Sequence, residues 1–191
     1  MGSITGPRVE DIIYQRYIKG LKTYIITLKF SDLSLIHRDV IEHISYGGDL
    51  WEFRADLLQD TSLLDRTPIP SINYVRSQLQ SLQQKTNLPI LFTLRSVSQG
   101  GRFPDEASKE ALSLMKLAAE LGCQYIDVEI QAPPFVIEGI RAVKRDSKIV
   151  ASYHEFSGNV RWTSRTLKEK CDAANRFGGI FPPHYVKKYF Y

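Results

Sequence analysis

Five short β-branched or aromatic runs, each followed by a longer segment of helical period, predict an α/β fold of βα units around a parallel sheet. The runs are YIITLKF (24–30), LWEFRAD (50–56), PILFTLR (89–95), YIDVEI (125–130) and KIVASYH (148–154). A second observation sharpens the first. In LWEFRAD, Glu52, Arg54 and Asp56 alternate with Trp51, Phe53 and Ala55, so one face of that strand is charged and the other apolar. A charged face does not pack against helices; if the sheet curls into a barrel, those charges point inward near the strand's C-terminal end, where barrel sites are built. Thr93 and Arg95 repeat the arrangement on the third strand, Asp127 and Glu129 on the fourth, and Ser152 and His154 on the fifth.

The helical segments follow from apolar spacing. Before the first strand, Val9, Ile12, Ile13, Arg16 and Tyr17 form a short amphipathic stretch placed to cover one end of the sheet. Leu33, Ile36, Val40 and Ile44 mark the first crossover helix, and Ile72, Val75, Leu79 and Leu82 the second, with Ser71 as its N-cap. The third opens at Pro104, runs through Ala107, Ala111, Leu114, Met115 and Ala118, and stops at Gly122. Val136, Ile140 and Val143 mark a fourth; Leu167, Cys171, Ala174 and Phe177 mark a fifth capped by Ser164.

Composition bounds the function. A 191-residue chain that is 43% hydrophobic and 24% charged fits one globular domain. Its only cysteines, Cys123 and Cys171, are far apart and without clustered histidines, so they read as packing thiols rather than a zinc site or a disulfide. The net charge of +4 is scattered over predicted helices, which argues against direct nucleic-acid binding. No run has the length of a membrane span, and the leading MGSITGPR has no apolar signal core, so an intracellular protein, cytoplasmic or nuclear, is expected. The loop SVSQGGRF pairs two glycines but contains neither GKS, GKT nor GxGxxG, so no nucleotide-phosphate cradle and no cofactor are expected. Among the polar groups, His154 stands out, because the reference pKa of a histidine side chain is about 6.5 and a group of that type can move protons either way at neutral pH. His37 and His43 fall on a polar helix face and read as surface residues.

Four segments in order resemble type I 3-dehydroquinate dehydratase, the shikimate-pathway barrel enzyme that works through a lysine Schiff base. WEFRAD resembles the family's second-strand E-x-R-x-D, LFTLRSVSQGGRFPD its third strand and glycine loop, YIDVEI its fourth strand, and SYHEF its histidine strand. SQGGRFPD and SGNVRW resemble the fungal version, found in the pentafunctional shikimate polypeptide and in the related quinate repressor. The resemblance implies an incomplete (β/α)8 barrel of five to six βα units over residues 24–178, preceded by an N-terminal extension (1–23) and followed by a divergent tail (179–191). It also implies that Glu52, Arg54 and Arg95 bind substrate hydroxyls and that His154 is the acid/base residue.

The chain departs from the family where the nucleophile belongs. After NRFG a strand reading roughly D-I-V-K is expected, but the sequence reads Gly179, Ile180, Phe181, Pro182 and Pro183. Proline has no primary amine to form an imine and no N–H to continue a central strand. The residues end at Tyr191, before the seventh and eighth strands that carry the family's carboxylate-clamping arginine and lid. Lys187, in HYVKKYF, is the one candidate substitute for the Schiff-base lysine.

Two functions therefore stay open. One is a catalytically inactive dehydratase-like domain in a quinate-pathway repressor, acting through a transcription-activator partner or weak binding of a quinate-type metabolite. The other is an active dehydratase or a portion of one. Either way, five or six βα units leave two unpaired sheet edges, and a second copy of the chain is the expected cover. This predicts a concentration-dependent homodimer; a monomer by light scattering at high micromolar concentration would rule it out.

Overall fold

A computed structural model describes residues 11–60, 68–156, 160–161 and 163–176. Five parallel strands, β1 (Ile25–Leu28), β2 (Leu50–Arg54), β3 (Ile90–Thr93), β4 (Tyr125–Glu129) and β5 (Lys148–Ser152), form one sheet in sequence order. The strand order never reverses, as it would in a doubly wound sheet, so each crossover steps one strand in the same direction around a growing barrel wall. Helices α2 (Arg38–Ile44), α3 (Ile72–Gln83), α4 (Ser108–Glu120), α5 (Pro134–Val143) and α6 (Arg165–Arg176) follow the five strands in turn, and α1 (Ile12–Ile18) precedes them.

Alternation along the strands sorts the residues into two cores. Trp51, Phe53, Ile90, Phe92, Ile126, Val128 and Ile149 pack with the helices' apolar stripes in one large cluster. The opposite face is apolar only at its N-terminal end, where Leu50, Leu91 and Tyr125 form a second cluster with Ile13, Ile25 and Val150. Ile13 belongs to α1, so the segment before β1 plugs that end of the sheet, as its amphipathic spacing predicts. Tyr125 pins it: its hydroxyl donates to Asp11 Oδ1 at 2.8 Å and accepts from Ile13 N at 3.3 Å.

The helices differ from expectation at their starts. Ser71 caps α3, accepting from Tyr74 N, and Gly122 (φ 77°) follows the end of α4, both as the sequence predicts. The first crossover helix, however, begins only at Arg38. Leu33 and Ile36 precede it in turns, with the Leu33 N–H taken by the buried Gln78 Oε1. Its buried residue is Ile41, whereas Val40 and Ile44 are exposed, so the four-residue stripe read from spacing mixes loop and solvent-facing positions. The helix expected to open at Pro104 starts at Ser108. Pro104 lies in a turn that closes through Ala107 N to Pro104 O, and the Asp105 carboxylate is spent on Ser98 N and Oγ instead of on capping α4. Phe177, expected in the last helix, lies outside the described residues.

Among the described residues no helix is long and apolar enough to cross a membrane. Cys123 is buried behind α4, where burial pushes its thiol pKa up to about 12; Cys171 is half-buried on α6.

Tyr125→Phe should lower stability by about 1–2 kcal/mol, because the Ile13 N–H loses its partner and the Asp11 carboxylate keeps only the Tyr14 N–H that it caps. Burial first, then the Asp11 bond, raise the phenol's pKa above its ordinary value. That contribution is complete below about pH 10 and is lost as pH rises through the folded-state pKa, so the wild-type advantage in urea denaturation should shrink at alkaline pH. Equal stability of the two proteins at pH 7 would refute the plug.

Candidate active site

The polar groups of the second face gather at the C-terminal ends of the strands. Glu52 lies opposite Thr27 in the register of β1 and β2, and the Thr27 hydroxyl donates to its Oε2 at 2.6 Å. Thr93 Oγ1 donates to Oε1 at 3.1 Å, so two hydroxyls fix the carboxylate, and among the described residues no cation forms a salt bridge with it. Past Arg54 the chain turns through a 3-10 segment, Ala55–Leu57, which folds Asp56 back on the arginine. Arg54 Nε donates to Oδ1 at 2.8 Å and Nη2 to Oδ2 at 2.7 Å, and Arg102 N donates to the same Oδ2 at 3.2 Å. Asp56 is thus buried by a turn, not by strand alternation, yet it reaches the face the sequence assigns it.

Arg95 is the hub. Its Nη2 donates to Asp127 Oδ2 at 2.7 Å, and Nη1 donates to Glu129 Oε1 at 3.0 Å and Ser152 Oγ at 2.9 Å, tying the end of β3 to β4 and β5. Ser152 in turn donates to Asp127 Oδ1 at 2.6 Å, and Ser96 donates its N–H and hydroxyl to Glu129. Burial alone would lower the pKa of both arginines; the carboxylates outweigh it, Asp127 at Arg95 and Asp56 at Arg54, and hold both above the ordinary guanidinium value. Glu52 acts on both arginines, and Arg95 on Arg54, so these groups share one electrostatic site.

The loop after Arg95 folds against that site. Ser96 bridges Phe103, and a Cβ on Gly101 would lie 2.0 Å from the Arg95 carbonyl oxygen, so only glycine lets the loop close there. The Ser98 hydroxyl outweighs burial, which acts in the opposite direction, holds Asp105 below the usual carboxylate range and anchors the loop's far side. Gln99 points inward, 5% exposed. Its Oε1 accepts from His154 N at 2.8 Å and its Nε2 donates to Gln131 Oε1 at 2.8 Å. The His154 ring is half-buried and stacks on Phe156, with centroids 6.2 Å apart and planes 13° apart. Phe156 lies over Gly100, where a Cβ would come within 2.5 Å of the ring.

The structure therefore brings Glu52, Arg54 and Arg95 into one cluster, as read from the strand pattern, and sets His154 beside it through the glycine loop. Lys187 and Pro182 lie outside the described residues. Thr27, Ser96, Gln99 and Phe156 escaped the sequence reading. Thr27 could have been found, since it shares the inward phase of β1 once that strand is paired with β2; Gln99 and Phe156 sit in irregular backbone, where no periodicity marks the inward side.

Hydrogen-bond accounting defines what the cluster can hold. With Nε and one Nη2 proton engaged, Arg54 keeps three N–H groups; Arg95, with three protons engaged, keeps two; and each Glu52 oxygen keeps a lone pair. Donors of fixed direction beside a free acceptor match hydroxyl groups, which donate to Glu52 while accepting from an arginine.

A sheet of this topology with its polar side chains at the strands' C-terminal ends is the frame of a (β/α)-barrel enzyme. The chain belongs to the type I 3-dehydroquinase family, whose model matches residues 24–181. It is 37% identical over 174 residues to the pentafunctional AROM polypeptide of Mycosarcoma maydis and 40% identical over 141 residues to that of Malassezia globosa. Those alignments cover 91% and 74% of the chain but only 10% and 8% of the two relatives. Among solved structures, the dehydroquinate dehydratase and shikimate dehydrogenase portion of S. pombe AroM superposes with a TM-score of 0.76 at 29% identity, over 86% of this chain and 31% of that one. The type I 3-dehydroquinate dehydratase of Clostridium difficile shares the fold, with a TM-score of 0.65 at 21% identity over 82% of this chain and 59% of that one.

Asp56→Ala should destabilise the protein by about 3 kcal/mol or more, because it leaves the Arg54 guanidinium, only 14% exposed, without its counter-charge. The double variant Arg54→Met/Asp56→Ala should recover part of that loss in urea unfolding. An Asp56→Ala cost under about 1 kcal/mol would mean the pair is exchanging with water rather than holding the site.

Proposed function

We propose that this chain is a type I dehydroquinase-like domain that recognises a hydroxylated ring but does not turn it over, and that it serves a regulatory role. The observation that carries the reading is a mismatch within one chain. Glu52, Arg54, Arg95 and His154 sit in an ordered, hydrogen-bonded site, whereas the position where the family's strand pattern calls for a lysine holds Pro182, directly after the residues the family model matches. Dehydration by this route needs a primary amine to convert the substrate ketone into an iminium, which acidifies the neighbouring C–H; a histidine can shuttle the proton, but it provides no electron sink. Without the amine, the residues left in place bind and orient. A quinate-responsive repressor, working inside the cell through a transcription-activator partner, is the role that fits such a domain. A homodimer formed through the sheet edges is part of the same proposal.

The second reading is an active dehydratase. The 37% and 40% identities to AROM polypeptides favour it, and Lys187 would then be the nucleophile.

Two measurements separate them. Incubation with 3-dehydroquinate should give no rise in enone absorbance, and borohydride reduction in its presence followed by intact mass should give no adduct. Sustained turnover, or a reduced adduct mapped to Lys187, would establish the enzymatic reading instead.

A further inference from the structure

Val97 sits between two serines that are held in the same way from opposite sides. Ser96 donates its N–H to Glu129 Oε1 at 3.0 Å and its hydroxyl to Oε2 at 2.7 Å. Ser98 donates its N–H and its hydroxyl to one oxygen of Asp105, Oδ1, at 3.2 and 2.7 Å. The two hydroxyls are 3.3 Å apart. Glu129 belongs to the Arg95 cluster, whereas Ser98 and Asp105 are exposed and stand outside it. Asp105 is therefore the outer anchor of a turn whose inner anchor is the site itself. The bond from the Ser98 hydroxyl is short and charge-assisted, of the kind that holds even beside water.

The anchored turn is Val97–Gln99, ended by Gly100 at φ 80°. A 3-10 turn this short has few bonds of its own, here Gln99 N to Ser96 O and Gly100 N to Val97 O, so its orientation is set by what holds its ends. Gln99 and Gly100 then meet the histidine segment at two separate points. Gln99 Oε1 accepts from His154 N at 2.8 Å, which fixes the backbone. The Phe156 ring lies over Gly100 and stacks on the His154 imidazole with planes 13° apart, which fixes the ring. We propose that Asp105 is a positioning residue for His154: from outside the site it orients the turn, and through Gln99 and Gly100 the turn orients the imidazole. The placement does not depend on what the site binds; its consequence for a ligand rests on the proposed recognition of a hydroxylated ring.

Histidine-ring NMR spectra of the full chain test the placement, the His154 signals being those lost in His154→Gln among the chain's four histidines. Asp105→Ala should shift them while leaving the urea midpoint nearly unchanged, because the freed Ser98 donors turn to water at an exposed position. Asp105→Asn should keep the wild-type signals, since its amide oxygen still accepts both donors. Ser98→Asp, which sets a like charge against Asp105, should shift them furthest. In calorimetry Asp105→Ala should weaken quinate about threefold to tenfold, the coupling expected within one hydrogen-bond network. His154 signals that stay put in Asp105→Ala, or that move equally in Asp105→Asn, would overturn the proposal. Shifted signals with unchanged quinate affinity would overturn the consequence for recognition. No quinate binding by the wild type at millimolar concentration would overturn the recognition reading and leave the placement to stand or fall on the spectra.

Discussion

The Arg95 guanidinium is the constraint on which the rest of the site depends. A cation this deeply buried is tolerated only because Asp127 and Glu129 neutralise it and Ser152 Oγ accepts a further N–H. Those partners come from two other strands, so satisfying one side chain fixes how the ends of β3, β4 and β5 sit relative to one another. Glu129 extends the constraint outward by accepting both donors of Ser96, which sets where the glycine loop begins. From there Gln99 reaches the backbone of His154.

The opposite end of the same face works by a different rule. Leu50, Leu91 and Tyr125 make an apolar layer, and α1 closes it from below. The face is thus graded along the strands, dry and plugged at the N-terminal end, charged and hydrogen-bonded at the C-terminal end. A grading of this kind separates stability from recognition: the plug contributes burial, and the charged end trades burial for directed donors and acceptors.

Much of the fold was legible because strand alternation is a one-dimensional signal. Trp51, Phe53 and Ala55 read as one apolar face, and they pack in the helix-side core together with Phe92, Ile126 and Val128. The inward phase of Glu52, Arg54, Arg95, Asp127 and Ser152 was read the same way and holds. Helix starts were less legible. At residues 33–36 the apolar spacing mimics a helix, but Gln78 takes the Leu33 N–H and a turn results; at Pro104 the following Asp105 is drawn to Ser98, so the helix waits for Ser108.

By itself the sequence determined which side chains of β2 to β5 carry the charged face, the order of the βα units that hold them, and the proline standing where an amine was expected. Tertiary structure alone decided who pairs with whom. Arg95 meets Asp127 across 32 residues, Gln99 meets His154 across 55, and Asp11 meets Tyr125 across 114. Such pairings depend on strand register and loop closure, which are set by packing and by the need to satisfy every buried charge at once; no local pattern encodes them.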